Sequence, residues 1–239
     1  MPGALQHVGE RFVPAAGRRW LTVLYDPVIA ATMRERRFRR LVAQRVLAAR
    51  PRRVVDVGCG TGTLALELVR RAPTLQLTGV DADPDILRRA RAKLAPAGAP
   101  VELVHGRAEA LPLEDGTVDC VVSSLLLHHL APEGKALALA EMRRVLRPEG
   151  RLVIADWGRP QDPLMRIAFL TVQLLDGFAG TQPHVAGELP HIVVRAGFTV
   201  LGIEPLRTGL GTLELLVARP SAPAVVGDPA PDASEQARG

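Results

Sequence analysis

An acid and three glycines follow a short apolar segment near the start of the chain. Residues 54–62 have the sequence VVDVGCGTG, in which Asp56 precedes Gly58, Gly60 and Gly62. Glycine lets a backbone turn sharply and approach a ligand without a Cβ atom in the way. A buried strand that ends in such a loop, with a helix after it, predicts a ligand site at the carboxyl end of the strand.

The spacing of these glycines separates the site from a dinucleotide site. A dinucleotide fingerprint has the spacing G-x-G-x-x-G, which fits a pyrophosphate, whereas this chain has G-x-G-x-G. The carboxylate of Asp56 would repel a pyrophosphate but suits a ligand with an amino group and a sulfonium. Asp81, 19 residues after Gly62, ends the next predicted strand, where an acid can bind both hydroxyls of a ribose. A ligand with a ribose, a positive charge and no phosphate is S-adenosylmethionine.

Four successive segments carry a resemblance to a known family. They are VVDVGCGTG, GVDADPDIL, GRAEALPLEDGTVDCVVSSLLLHHL and EMRRVLRPEGRLVIADW. In this order they resemble the motifs of class I S-adenosylmethionine-dependent methyltransferases, and in particular the subgroup around the ubiquinone/menaquinone-biosynthesis C-methyltransferases. The resemblance covers about residues 25–219 and implies that S-adenosylmethionine is the cofactor.

The resemblance implies a role for each residue that matches a motif. The glycine loop would surround the methionine portion, Asp81 would bind the ribose, Ala82 and the amide of Ala108 would meet the adenine, and Tyr25 would close over the cofactor. Arg107 stands where the family often has Asp or Asn, so it is left out of the predicted site. The predicted cofactor-binding residues are Tyr25, Asp56, Gly58, Cys59, Gly60, Gly62, Asp81, Ala82, Ala108, Glu109, Ser123, Ser124 and Leu125.

His128 is the candidate catalytic residue, because it follows the fourth predicted strand, where the chain passes the methyl donor. If the acceptor is a phenol or a carbon acid, a neutral imidazole there can take its proton. If the acceptor is an amine or an anion, His128 only shapes the pocket. Asp156 ends the fifth strand near the same cleft, where it could also cap a loop. We predict no metal site, since the histidines lack further ligands at suitable spacing.

Strands and helices alternate along most of the chain, which predicts right-handed crossovers and a parallel sheet. The last two strands have only a short connection, which requires an antiparallel pair. Together with the resemblance, this predicts an α/β fold: a Rossmann-like, seven-stranded, mostly parallel sheet with an antiparallel C-terminal strand and helices on both faces. The predicted strands are 53–57, 75–80, 101–105, 118–122, 151–155, 198–203 and 213–218, and the predicted helices are 26–49, 63–71, 83–94, 133–146, 164–175 and 188–196. In the helix 133–146 the apolar positions are Leu137, Ala140, Val145 and Leu146.

Charge and composition divide the chain further. Residues 34–53 hold nine arginines and one acid, whereas the whole chain has a net charge of +5. We expect residues 1–50 to form a helical lid over the acceptor, 51–219 the methyltransferase domain, and the Pro- and Ala-rich segment 220–239 a disordered tail. The basic helix from Arg34 to Arg40 could contact a membrane surface, while an aromatic content of 3% argues against nucleic acid. The N-terminal residues contain charges and no long apolar run, so we expect no signal peptide. Two cysteines fit a cytoplasmic protein.

The leading hypothesis is methyl transfer from S-adenosylmethionine to C, O or N of a small, partly apolar acceptor by in-line displacement. Two alternatives stay open. One is N-methylation of a phospholipid head group, for which the basic helix is the feature. The other is a non-methylating reaction in a protein that still binds S-adenosylmethionine. The sequence leaves the acceptor and the oligomeric state open.

Overall fold

The chain folds as helices around one central sheet. The computed structural model describes residues 35–98, 101–209 and 211–222. The strands are β1 (Arg53–Val57), β2 (Gln76–Asp81), β3 (Val101–His105), β4 (Val118–Ser124), β5 (Leu146–Trp157), β6 (Phe198–Arg207) and β7 (Thr212–Pro220). The helices are α1 (Glu35–Leu47), α2 (Thr63–Arg71), α3 (Pro84–Leu94), α4 (Pro132–Val145), α5 (Pro163–Asp176), α6 (Phe178–Val185) and α7 (Leu189–Arg195).

The sheet has the strand order β3-β2-β1-β4-β5-β7-β6. Neighbouring strands from β3 to β5 are parallel, and β7 is antiparallel to β5 and to β6. This confirms the predicted sheet with its antiparallel C-terminal strand. Strands β2 and β3 lie on one side of β1, and β4 lies on the other side, so the strand order changes direction between β1 and β4. In open sheets of this kind, ligands bind at the carboxyl ends of the strands beside that point.

Helices cover both faces of the sheet, because its central strands are apolar on both sides. On one face α1, α2 and α5 enclose a buried cluster that includes Phe38, Leu68 and Phe169. On the other face α4 and α7 enclose a second cluster that includes Met142 and Val193. The sheet therefore separates two cores, and the loops at its carboxyl edge are held from both sides.

The basic helix predicted over residues 26–49 is described from Glu35 onward, as α1. Phe38, Val42 and Val46 turn into the core, while Arg36 and Arg40 are exposed. The apolar face of α1 is thus used in packing, and the predicted contact with a membrane surface stays a prediction. Among the described helices, none combines the length and apolar character that crossing a membrane requires.

The region between β5 and β6 and the inner face of α4 differ from the sequence-based expectation. Helix α6 was not predicted, because Pro183 lies inside it and proline normally interrupts helices.

In α4 the expected apolar position Leu137 is 56% exposed. The buried face carries Lys135, Leu139 and Met142. The predicted positions Val145 and Leu146 are buried, whereas Ala140 is exposed, so the predicted face is correct only near the C-terminal end of α4. A lysine was not expected on the buried face, because burying its charge requires partners that lie far away in the sequence.

Candidate active site

The loop between β1 and α2 has three glycines in the left-handed region of backbone conformation. Gly58, Gly60 and Gly62 have φ values of 72°, 54° and 72°. A Cβ atom on Gly58 would lie 2.9 Å from Leu126, and one on Gly62 would lie 3.1 Å from Leu94. No atom lies within 4 Å of a Cβ atom on Gly60. Gly58 and Gly62 therefore permit close packing, whereas Gly60 faces open space at the carboxyl edge of the sheet.

Asp81 ties this loop to the end of β2. Its Oδ2 accepts a hydrogen bond from the Gly60 amide at 2.9 Å, and its Oδ1 accepts one from the Asp83 amide at 3.0 Å. The Gly58 and Cys59 amides donate to the Val80 carbonyl. Since each carboxylate oxygen can accept more than one hydrogen bond, Asp81 holds the loop and keeps acceptor capacity for a ribose.

Asp56 is a buried carboxylate for which the described residues provide no hydrogen bond. It is 1% exposed, and neither of its carboxylate oxygens has a hydrogen-bond partner among the described residues. Burial raises the pKa of Asp56 to about 7, with the charge of Arg39 acting in the opposite direction. Ser123, whose backbone lies opposite Val57 in the β1–β4 pairing, also has a buried hydroxyl without a partner. Buried polar groups are nearly always hydrogen-bonded, so this pair of groups indicates a ligand at the ends of β1 and β4.

The turn after β4 closes over the glycine loop. Leu125 has a φ of 56°, which is uncommon for a residue other than glycine, and its amide donates to the Ala155 carbonyl at 2.9 Å. Asp156, at the end of β5, accepts hydrogen bonds from the amides of Leu127 at 2.8 Å and Trp157 at 2.7 Å. The expectation that Asp156 could cap a loop is confirmed, and this carboxylate fixes the turn that carries the predicted catalytic histidine.

His128 and Asp156 form a buried hydrogen-bonded pair. His128 Nδ1 lies 2.6 Å from Asp156 Oδ1, and the side chain of His128 is almost fully buried. Burial alone would raise the pKa of Asp156, but His128 and the hydrogen bonds that the carboxylate accepts lower it below the ordinary value. Because an ionised carboxylate only accepts hydrogen bonds, Nδ1 carries the proton. In the neutral ring, Nε2 is then the basic nitrogen.

His129 packs against this pair from the outside. The ring centroids of His128 and His129 are 3.9 Å apart, and His129 is exposed. Desolvation and the neighbouring His128 lower the pKa of His129 to about 3. A side chain that is surrounded by protein and still reached by solvent is expected in the wall of a cleft.

Helix α6 covers the same region, which the sequence did not predict. The buried Lys135 donates from Nζ to the carbonyl oxygens of Leu130 and Gly180, and desolvation lowers its pKa to about 8. His184 donates from Nδ1 to the Trp157 carbonyl at 2.7 Å, while its Nε2 is buried without a partner among the described residues. The hydrogen bonds of Lys135 join α6 to the turn after β4, and that of His184 joins α6 to the end of β5. The sequence signal for these side chains was weak, because their partners are backbone carbonyls.

The remaining predicted residues lie around the same edge. The Cys59 thiol is buried, and a Cβ atom on Gly79 would lie 3.0 Å from its sulfur. The Ala82 carbonyl accepts from His105 Nε2 at 3.1 Å, and Glu109 Oε1 accepts from Arg107 Nη2 at 3.0 Å. Ala108 is buried and Ser124 is half-buried. Tyr25 lies outside the described residues. Within the described part of the chain, no group of three or more His, Cys, Asp or Glu side chains could hold a metal ion.

These residues fit S-adenosylmethionine. The orphaned carboxylate of Asp56 suits the positively charged methionine portion, Asp81 can accept from the ribose hydroxyls, and the space over Gly60 allows the backbone to approach the ligand. A hydrogen bond from the ligand, or a cation close to it, would also offset the free-energy cost of burying the Asp56 carboxylate. The fit rests on the chemistry of the groups that lie together at the ends of β1, β2 and β4.

Comparison with known proteins agrees with this fit. The model of a methyltransferase domain family matches residues 54–150. A demethylmenaquinone methyltransferase of Deinococcus radiodurans is 38% identical over 135 residues, which are 56% of this chain and 55% of that protein. The chain spans about half the length of the curated relatives that it matches in this way.

A longer match covers most of both chains. A malonyl-[acyl-carrier protein] O-methyltransferase of Methylococcus capsulatus is 31% identical over 200 residues, which are 81% of this chain and 70% of that protein. The crystal structure of an S-adenosylmethionine-dependent methyltransferase from Aquifex aeolicus has the same fold, with a TM-score of 0.60, 20% identity, and coverage of 84% of this chain and 97% of that one. The chain belongs to the S-adenosylmethionine-dependent methyltransferases.

Proposed function

We propose that this protein transfers a methyl group from S-adenosylmethionine to carbon or oxygen of a small, partly apolar acceptor. The observation that carries the proposal is the buried Asp56 carboxylate, which has no hydrogen-bond partner among the described residues. It stands in β1, just before the loop in which Gly60 faces open space. A site that leaves such a carboxylate unpaired is costly unless a cationic ligand occupies it. S-adenosylmethionine is a ligand of this charge, and family membership supports the choice.

The cofactor supplies an already activated methyl group on a sulfonium when it is bound. The protein then has to align the two reactants and keep water out. Asp56 and Asp81 bind opposite ends of the cofactor. Because Gly60 has no side chain, the cofactor can approach the backbone of the loop closely. The turn at Leu125 and Leu126 lies beside the glycine loop, where it can limit the entry of water.

The pair of His128 and Asp156 supports an acceptor that loses a proton. Asp156 holds His128 in the tautomer whose Nε2 can accept a proton, and a carboxylate in this position also stabilises the imidazolium that results. A phenol or an enol loses such a proton when it is methylated, whereas a carboxylic acid is already ionised at neutral pH. The pair therefore favours carbon or oxygen over nitrogen as the methylated atom.

Two relatives provide the first acceptors to test. One relative is named a demethylmenaquinone methyltransferase, whose name describes a quinone, and the other a malonyl-[acyl-carrier protein] O-methyltransferase, whose name describes a carboxylic acid on a carrier. Both acceptors are partly apolar or are presented by a larger partner. The quinol form of the first has a proton to lose, whereas the malonyl carboxylate is already an anion, for which His128 would only shape the pocket. The methylated atom differs between them, so product analysis distinguishes the two.

The experiment is single-turnover transfer of a radiolabelled methyl group to a short-chain demethylmenaquinol and to a malonyl thioester. We expect label in one of the two products. With the demethylmenaquinol, His128→Asn should lower the rate at least about 100-fold, the lower range for general-base assistance, while the Kd of S-adenosylmethionine stays unchanged. His129→Asn is the matched control and should change the rate much less.

Three results would contradict parts of this proposal. If the wild-type protein does not bind S-adenosylmethionine, the proposed function is wrong. If it binds the cofactor but labels neither acceptor, the acceptor class is wrong. If His129→Asn causes the larger loss, then His129 rather than His128 takes the proton.

A further inference from the structure

A cavity of about 220 Å³ lies outside the site described above, between α1 and the β6–β7 hairpin. Phe38 and Leu213 line it and are buried, and Leu206 adds a half-buried apolar wall. Arg37 and Arg207 line the same cavity and are exposed. The cavity thus combines an apolar interior with two guanidinium groups, which is the arrangement that an apolar molecule with one anionic group requires.

Arg207 forms an ion pair at the edge of the cavity. Its Nη2 donates to Asp162 Oδ2 at 2.6 Å, and Asp162 Oδ1 accepts from the Met165 amide at 2.8 Å at the start of α5. The backbone hydrogen bond, followed by the one from Arg207, lowers the pKa of Asp162, so this acid stays ionised. A guanidinium has five donors, and one contact with Asp162 leaves others for a ligand.

The charges that border the cavity leave an excess of one positive charge. Asp162 balances Arg207, whereas no acid in the described part of the chain forms an ion pair with Arg37. A single carboxylate would neutralise the remaining charge, and its two oxygens match the planar geometry of a guanidinium. A neutral apolar ligand would cover Arg37 without giving it a partner, which is unfavourable.

The cavity and the cofactor site lie at the same edge of the sheet. Strand β6 ends at Arg207 and runs parallel to β5, since both are antiparallel to β7. Neighbouring strands are about 4.8 Å apart, so the cavity lies about 10–15 Å from the end of β4. Helix α1 connects the two sites, because Arg39 is close enough to act on the charge of Asp56.

We infer that this cavity binds the anionic end of the methyl acceptor, a carboxylate carried on an apolar chain, through Arg37 and Arg207. The inference rests on the proposed function. The atom that receives the methyl group then lies about 10–15 Å from this carboxylate, as the strand spacing requires. A neutral quinone lacks the group that the two arginines would recognise, and the carboxylate of a malonyl thioester is itself the group that is methylated. An acceptor with a separate carboxylate is therefore a third class to test beside these two.

Direct binding tests the inference without methyl transfer. Dodecanoate, kept below its micelle concentration, and dodecanol, which has the same chain without the charge, are titrated into the wild-type protein by calorimetry. We expect dodecanoate to bind about 10- to 100-fold more tightly, as expected for charge-assisted hydrogen bonds. Arg37→Gln and Arg207→Gln should each remove most of that difference. Arg40→Gln, on an exposed position of the same helix, should not.

Binding of S-adenosylhomocysteine, measured on each variant, separates this inference from the proposed function and shows that the variants are folded. The inference is overturned if dodecanoate and dodecanol bind equally, or if Arg37→Gln and Arg207→Gln keep the full preference for dodecanoate while S-adenosylhomocysteine still binds. Failure of the wild-type protein to bind S-adenosylhomocysteine would contradict the proposed function instead.

Discussion

Replacing Asp56 by asparagine should stabilise the ligand-free protein at alkaline pH and at the same time weaken cofactor binding. Asp56 is buried, its two oxygens have no partner among the described residues, and burial raises its pKa from 3.8 to about 7. Asparagine has nearly the same shape but no charge. The variant therefore removes the unfavourable buried charge together with the group that we assign to the cofactor.

The size and sign of the effect follow from the pKa. The folded protein keeps the proton on Asp56 up to about pH 7, whereas the unfolded chain releases it near 3.8. The free energy of unfolding therefore falls as the pH rises from about 4 to about 7, by at most about 4 kcal/mol in total. An asparagine amide without a partner costs about 1–3 kcal/mol. At pH 8 the Asp56→Asn variant should be more stable by about 1–3 kcal/mol, and at pH 5 the two proteins should be similar.

Thermal unfolding without ligand at pH 5 and pH 8 measures this difference. For a domain of this size, 1–3 kcal/mol corresponds to about 2–12 °C in Tm. Asp119→Asn is the matched control, because Asp119 accepts from the amides of Arg52 and Arg53 and its pKa is lowered. That variant should be less stable at both pH values. Calorimetry at pH 8 should show about 10- to 100-fold weaker binding of S-adenosylhomocysteine by Asp56→Asn alone.

The reasoning is refuted if Asp56→Asn is less stable than the wild-type protein at pH 8, since Asp56 would then have a partner that stabilises its charge. Equal affinity for S-adenosylhomocysteine in the two proteins would refute the assignment of Asp56 to the cofactor. A gain in stability together with a loss of affinity is the combination that a merely structural acid would not produce.

Three further predictions concern the loop and its cap. Gly60→Ala should weaken S-adenosylhomocysteine binding about 10-fold or more and lower the free energy of unfolding by about 1 kcal/mol. Gly58→Ala should lower the free energy of unfolding by more, because its Cβ would meet Leu126. Equal effects of the two substitutions would contradict the different roles of the two glycines. Asp81→Ala should lower that affinity more than Asp81→Asn in calorimetry, and unchanged affinity in the alanine variant would exclude Asp81 from the ribose site. Lys135→Met should lower the free energy of unfolding in urea by about 1–3 kcal/mol, because two carbonyl groups lose their donor. An unchanged free energy of unfolding would show that water replaces the ammonium group.

The cofactor half of the site could be predicted from the sequence because its signals are local. The glycine loop follows β1 directly, Asp56 and Asp81 each stand at a strand end, and the order of strands and helices fixes which ends meet at one edge. The mostly parallel seven-stranded sheet with its antiparallel C-terminal strand is confirmed in this way. What the sequence could not give is which glycine faces the ligand, because that depends on Leu126 and Leu94.

The acceptor half depends on contacts between distant residues. His128 and Asp156 are 28 positions apart, and Lys135 reaches Gly180 across 45 positions. Hydrophobic periodicity assigned Leu137 to the core, but no periodic signal marks a lysine that two carbonyls neutralise. An acid at the end of β5 beside a histidine after β4 was the one usable signal, since both strand ends lie at the same edge.

The two halves of this edge differ in charge, and that difference determines how an acceptor can enter. Asp56 and Asp81 lie at the ends of β1 and β2, whereas Arg37 and Arg207 line the cavity at the β6–β7 hairpin. A carboxylate is repelled from the first pair and attracted to the second, so an anionic acceptor can bind in one direction only. In that direction its uncharged end points towards β4, where we propose that His128 removes a proton. An acceptor with charge at both ends should then bind poorly, which dodecanedioate, compared with dodecanoate in the same titration, can show.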